Sequence, residues 1–351
     1  MSKSFKLGKY NIGEGHPPFI IAEMSGNHNQ SLERALKIVE AAASAGAHAI
    51  KLQTYTADTM TIDCDSEDFT VTNPDNLWAG RTLYDLYQEA HTPWDWHHRI
   101  FELARELDMI PLSTPFDETA VDFLESLNPS IYKISSLENT DHALIKKVAQ
   151  TGKPIILSTG LMSKEDIIET VEVAKSAGCE DLILLKCTSS YPAEASDANL
   201  ATMLDMKEFT KCNVGLSDHT MGIGVPVASV IFGACVIEKH FTLSRSDGGV
   251  DSAFSLEPEE LKAMVIETNK AFNSIGKITY KSGSSEDDSR KYRRSLYVTE
   301  NVKAGDKVCP ENVRAIRPGL GLMPKHLDKV MQKSFIKDIK RGTALEWSML
   351  E

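Results

Sequence analysis

The 351-residue sequence predicts an α/β protein: a closed (β/α)8 barrel over residues 1–276, a linker over 277–290 and a small β-rich module over 291–351. Three observations carry this reading. Short apolar runs alternate with stretches of helical period eight times over. Each run ends in polar residues, as strands do when their carboxyl ends build a site. The alternation then stops at KITYKSGSSEDDSRKYRR, whose Gly, Ser and charge content is that of a linker. An open doubly wound sheet is the rival architecture for such an alternation.

The first strand is FIIAE (19–23), followed by SLERALKIVEAAASAG, a helix with Ser31 as N-cap and Gly46 as its stop. AIKLQ (49–53) comes second. The connection after it, residues 54–92, is longer than the others and carries NLWAGRTLYDLYQEAHTPW, a loop suited to lie over the barrel mouth. MIPLST (109–114), IYKIS (131–135) and PIILST (154–159) are the next three strands. SKEDIIETVEVAKSAG then repeats the helix pattern, with Ser163 and Gly178 as start and stop. LILLKC (182–187), NVGLS (213–217) and CVIEKH (235–240) complete the set, and a last helix spans about 257–273. The module beginning near Lys291 has short β-like runs and the turn sequences KAGD and RPGLG.

A net charge of −12, with no basic block and no apolar run of bilayer length, excludes nucleic acid and membrane as main partners. Any anionic substrate must be drawn in by a local group of cations. The six cysteines show no CxxC spacing, and MSKSFKLGKYNIGEG has no apolar signal core, so a reduced, cytoplasmic protein is expected.

The polar strand ends are Glu23, Lys51 with Gln53, Ser113 with Thr114, Lys133 with Ser136, Ser158, Lys186 with Ser189, Ser217 with His219, and Glu238 with His240. His219 and His240 follow adjacent strands, so two imidazoles can share one divalent metal with positions left for water and substrate; singly, either would pass for a structural histidine. Lys51, Lys133 and Lys186 end three strands and can converge on a phosphate or carboxylate, with Thr114, Ser136, Ser158 and Ser217 adding hydroxyls; the competing view is three snorkelling lysines. Glu23 adjoins the eighth strand in a closed barrel and can accept a proton or orient water. HTPWDWHH holds His91, His97 and His98 at a helix start, where they read as solvated or aromatic-flanked. No Walker or dinucleotide fingerprint is present.

In this order, IAEMSGNHNQ, IKLQTYTADTMT, STPFDETAVDFL, YKISSLE, GKPIILSTG, LLKCTSSYP, GLSDHT and EKHFTLSRSDGGVDSAFSLEPEE resemble the sialic acid synthase family. IRPGLG continues the likeness into a C-terminal antifreeze-like (SAF, β-clip) domain behind a TIM barrel. NHNQ, LWAGRTLYDLYQEAHTPW and RSDGGVDSAFSLEPEE are similar to the pseudaminic acid synthase branch. The resemblance implies a condensation of phosphoenolpyruvate with an acetamido sugar aldehyde, dependent on a divalent metal such as Mn, Mg or Co. It implies metal ligands at His219 and His240, and phosphoenolpyruvate contacts at Lys51, Thr114, Lys133, Ser136, Ser158 and Ser217. Sugar contacts would fall to Glu23, Gln53, Tyr191 and Asp251, with Glu138 as a second carboxylate beside Glu23 near the reacting atoms. Arg317 would reach the sugar from the partner subunit of a domain-swapped homodimer. Lys186 and Ser189 depart from the family pattern, so no role is carried over to either. N-acetylneuraminate and legionaminic acid synthases, a metal-dependent aldolase or hydrolase, and a non-catalytic sugar-binding protein are the competing functions.

Overall fold

Eight parallel strands close on themselves: β3 (Phe19–Glu23), β4 (Ala49–Thr54), β5 (Ile110–Pro115), β6 (Tyr132–Ile134), β7 (Ile155–Ser158), β8 (Leu182–Cys187), β9 (Asn213–Asp218) and β10 (Val236–His240), with β10 returning to pair with β3. The structure, a computed structural model, describes residues 4–74, 77–280 and 283–351. Each barrel strand lies within one residue, at either end, of the run read from the sequence. An antiparallel hairpin, β1 (Phe5–Leu7) and β2 (Tyr10–Ile12), precedes the barrel.

The strands are buried on both faces, which is why they read as near-continuous apolar runs. Alternate side chains serve different cores. Ile20, Ala22, Ile50 and Leu52 pack outward against helices, whereas Phe19, Ile21, Ala49, Leu112, Ile156 and Ile183 fill the lower barrel. Leu7 and Ile12 of the hairpin join this lower cluster. The hairpin was not anticipated, because it stands before the strand–helix alternation; its one cue is Gly8, at φ +57° in the turn between its strands.

Helix boundaries follow capping chemistry. Ser31 Oγ accepts from Arg34 N at 3.2 Å at the head of Leu32–Ser44. Ser163 and Asp166 form a reciprocal box at the head of Lys164–Ser176. The connection after β4 carries helices Ala57–Met60 and Leu83–Ala90; Asp75 and Asn76 within it lie outside the described residues.

The chain divides into two units, Met1–Gly276 and Lys277–Glu351. In the second, β11 (Ser295–Val298) pairs antiparallel with β12 (Val313–Ile316), over a core of Leu296, Val298, Val313, Phe335 and Leu345. The stretch read as linker contains a short helix, Ser284–Arg290, with Glu286 and Asp287 in its first turn where they complement the helix dipole. Lys281 and Ser282 of that stretch lie outside the described residues. Among the described residues no helix is long and apolar enough to cross a membrane.

Candidate active site

Strand alternation decides which tips face the barrel axis. Register places Glu23 beside Lys51 and His240 beside Glu23, and pairs Gln53 with Thr114, Cys187 with Ser217 and Ser217 with Glu238. A cavity of about 340 Å³ opens at this end, lined by Lys51, Gln53, Lys133, Ser136, Ser158, Ser217, His219, Glu238, His240, Tyr191 and Asp251. The long connection contributes Met60, Val71, Trp78, Leu86 and Tyr87 as an apolar wall. Trp78 Nε1 donates to Val250 O at 3.1 Å, joining that wall to the loop that carries Asp251.

Two buried ammoniums meet two buried carboxylates at the floor. Lys51 Nζ lies 2.8 Å from Glu23 Oε2, 3.7 Å from Glu238 Oε1 and 3.2 Å from Thr114 Oγ1. Lys133 Nζ lies 3.8 Å from the same Glu238 oxygen and donates to Ile134 O. Burial works to raise the Glu238 carboxyl, but Lys133 and Lys51 outweigh it and hold the group below the usual carboxylate range. Burial lowers Lys133. Burial pushes Glu23 up against the pull of Lys51, and the charge of Glu238 adds to the rise. Ser217 Oγ donates to Glu238 at 3.2 Å, while Glu238 Oε2 and Ser158 Oγ are buried without a hydrogen-bond partner. Orphaned polar atoms beside two cations mark a place prepared for a polar ligand.

Above the floor the rings of His219 and His240 stand 5.2 Å apart, flanked by Tyr191 at 4.4 Å from His219 and Phe254 at 4.9 Å from His240. His219 Nδ1 is 2.9 Å from Thr188 O, a contact that makes it the donor and leaves Nε2 as the free lone pair. His240 Nδ1 is buried with no hydrogen-bond partner and lies 3.6 Å from Asp251 Oδ2. Among the described residues no group of three or more His, Cys, Asp or Glu is arranged to hold a metal. The free Nε2 of His219 and the unpartnered Nδ1 of His240 are the imidazole lone pairs this end of the barrel offers to an ion.

Two expected tips point away from the barrel axis. Cys187, not Lys186, faces the cavity from β8; Lys186 Nζ bonds Cys187 O and Thr188 Oγ1 on the other face, so it does not join Lys51 and Lys133. Ser113 likewise points outward, to Thr54 Oγ1 at 2.6 Å. Glu138 stands back from the lining, half-buried, where it accepts from Ser135 Oγ and burial raises its carboxyl. Sequence reasoning left Glu238 without a role, although it sits two residues before His240 and so shares its face. It overlooked Ser25, which donates to Asp251 and lines the cavity. Arg317 is exposed on the segment after β12, and among the described residues no carboxylate pairs with it. His97 is aromatic-flanked as expected, buried against Phe101 and Phe123, with Thr54 Oγ1 2.8 Å from Nε2. At the opposite end of the barrel a larger cavity of about 510 Å³ holds one ion pair, Lys207 with Glu14, and no comparable cluster.

Residues 38–280 match the NeuB family, and residues 293–351 match the SAF domain. The chain belongs to the NeuB family. Within it, the chain is 42% identical to pseudaminic acid synthase of Campylobacter jejuni subsp. jejuni serotype O:2, over 97% of this chain and 98% of that one. It is 39% identical to pseudaminic acid synthase of Helicobacter pylori, over 95% and 98%. A further relative, N,N'-diacetyllegionaminic acid synthase of Legionella pneumophila, is 35% identical over 95% of this chain and 94% of that one. Among solved structures, N-acetylneuraminic acid synthetase of Leptospira borgpetersenii in complex with citrate is similar at a TM-score of 0.72 and 32% identity, over 82% of this chain and 95% of that one.

Proposed function

We propose that the chain is a pseudaminic acid synthase, condensing phosphoenolpyruvate with 2,4-diacetamido-2,4,6-trideoxy-altrose and water to give pseudaminic acid and phosphate. The observation that carries this is the pair of buried lysines, Lys51 and Lys133, 3% and 2% exposed, at the floor of a cavity roofed by two imidazoles. Lys51 and Lys133, with Thr114, Ser136, Ser158 and Ser217, bind the phosphate and carboxylate of phosphoenolpyruvate. Glu23, Gln53, Tyr191 and Asp251 hold the sugar so that its aldehyde carbon faces C3 of the enol. A divalent metal on His219 and His240, Mn, Mg or Co, would supply Lewis acidity at the aldehyde oxygen.

C3 attacks the aldehyde carbon, leaving positive character at C2, and the aldehyde oxygen becomes a hydroxyl with the one proton that the attacking water gives up through Glu23. Water adds to C2, Glu23 accepting its proton at Oε2. Collapse of that adduct breaks the C2–O bond to phosphate and leaves the ketone, with the hydroxyl proton carried off by the departing phosphate. The deep apolar wall of Trp78, Leu86 and Tyr87 keeps bulk water from C2 until the sugar is seated. The enzyme works in the cytoplasm as a domain-swapped homodimer, in which Arg317 from a second copy covers the mouth.

The test is phosphate release from phosphoenolpyruvate with each acetamido sugar in turn. The diacetamido altrose is expected to give the highest kcat/KM. Preference for N-acetylmannosamine or the legionaminic acid precursor would move the chain to another branch, and no release with any sugar would overturn the reading.

A further inference from the structure

Among the described residues, eight non-glycine positions have φ in the left-handed region: Ser25, Asn29, Gln30, Asp108, Asn128, Leu161, Asn199 and Lys211. Seven are exposed, at turns or helix ends where such strain is ordinary. Ser25 is the exception, with φ +45°, 4% exposed and in the cavity wall directly after β3. A side chain is disfavoured at this backbone conformation, whereas glycine adopts it freely. Strain kept in a buried, site-lining residue points to something the side chain does.

Its hydroxyl both donates and accepts. Ser25 Oγ donates to Asp251 Oδ2 and accepts from Gln53 Nε2 at 3.0 Å, and the same Gln53 nitrogen donates to Glu23 Oε1 at 3.0 Å. One hydroxyl thus ties together the loop carrying Asp251, the tip of β4 and, through Gln53, the tip of β3. Without it Asp251 Oδ2 keeps only the 3.6 Å approach of His240 Nδ1, and Gln53 keeps one of two fixed partners. Asp251, Gln53 and Glu23 are the groups assigned above to the sugar. Among the described residues, the phosphoenolpyruvate groups Lys51, Lys133, Ser158 and Ser217 make no hydrogen bond to Ser25.

We propose that Ser25 is the positioning residue of the sugar half of the site, and that its hydroxyl, by fixing Asp251 against Gln53, is what retains a side chain where glycine would fit without strain. This rests on the assignment of that half to the sugar. It makes residue 25 a selectivity determinant as well: a carboxylate held in one rotamer discriminates between sugars that differ at the atom it touches, and a freed one does so less.

The test compares Ser25→Gly with Ser25→Ala in the full-length protein. Neither has the hydroxyl, and they differ only in the Cβ at positive φ. Both should raise the KM for the diacetamido sugar by about 10- to 100-fold, the range for a hydrogen bond to a charged group, with the KM for phosphoenolpyruvate within about 2-fold of the parent. Ser25→Gly should melt about 2–4 °C above Ser25→Ala, because it alone relieves the backbone. In an Asp251→Asn background the Ser25→Gly change should add little, since the bridged carboxylate is already altered. If the sugar KM tracks the melting temperature, so that Ser25→Gly is restored towards the parent, or if both KM values rise together, Ser25 is merely structural and the inference is wrong. Failure of the parent protein to turn over any acetamido sugar would instead overturn the functional reading, which separates the two.

Discussion

Lys133 and Lys186 make a controlled comparison, two strand-end lysines of which alternation turns only one inward. Lys133→Met keeps the stem volume but leaves Glu238 with Lys51 as its one nearby ammonium at 3.7 Å and removes an anion partner. It should lower kcat/KM for phosphoenolpyruvate by at least about 100-fold, the scale for breaking a buried charge pair. Lys186→Met should stay within about 3-fold of the parent, because its ammonium serves only Cys187 O and Thr188 Oγ1. Steady-state kinetics on both variants decide this, and equal losses would refute the inward and outward assignment. His240→Ala should abolish turnover and weaken binding of Mn, measured by calorimetry, while circular dichroism stays that of the parent. The lysines, serines and histidines at strand ends were legible in the sequence because their positions follow hydrophobic runs. Which of two adjacent tips faces the axis was not, since Lys186 and Cys187, or Ser113 and Thr114, differ by one residue and a one-residue slip reverses the face. Ser25 was illegible for another reason, because positive φ at a serine leaves no mark on composition or period.

Elements meet at two places where further expectations can be checked. His28, on the turn after β3, and His97, in helix Trp94–Glu106, are buried and neutral: His28 Nδ1 accepts from Gln30 N, and His97 Nδ1 donates to Pro93 O. Burial lowers each imidazole from 6.5 to about 4. The unfolded chain therefore takes up these protons first. Stability from this source is full above about pH 6.5 and is lost as pH falls to about 4, by on the order of 3 kcal/mol for each ring. Urea titrations at pH 7.5 and 5 should show the loss, and His97→Gln should reduce the pH slope by up to one proton in that window; an unchanged slope would contradict the assignment. At the other end, Ile12→Ala in the hairpin plug should cost about 2–4 kcal/mol, as for a large-to-small change in a closed core. The barrel strands could be read from sequence because each recurs between helical stretches and ends in polar residues, whereas the two hairpin strands precede that alternation and have no helix between them.

Across the whole molecule, the proposed homodimer has a test that needs no knowledge of its geometry. Mixing His240→Ala with Arg317→Ala under conditions of proven subunit exchange should restore about a quarter of the sites if Arg317 acts on the second copy. If it acts on its own barrel, every site lacks one group and nothing is regained. Both single variants must be inactive for the comparison to hold, and an inactive mixture would then exclude the arrangement in trans.

The ladder from His240 to Glu23 joins the last barrel strand to the first. Both proposed metal ligands and Glu238 lie on one side of that seam, while Glu23 and Lys51 lie on the other. No contiguous fragment short of the full ring can therefore assemble the ligand-binding charge cluster, and affinity for phosphoenolpyruvate is free energy of closure. Amide protons along β3 and β10 should accordingly exchange more slowly when the ligand is added, more so than those of β7 and β8, where the ladder lies between strands joined within one βα unit. In the cell this couples substrate supply to protease resistance: ligand bound across the seam opposes parting of the first strand from the last.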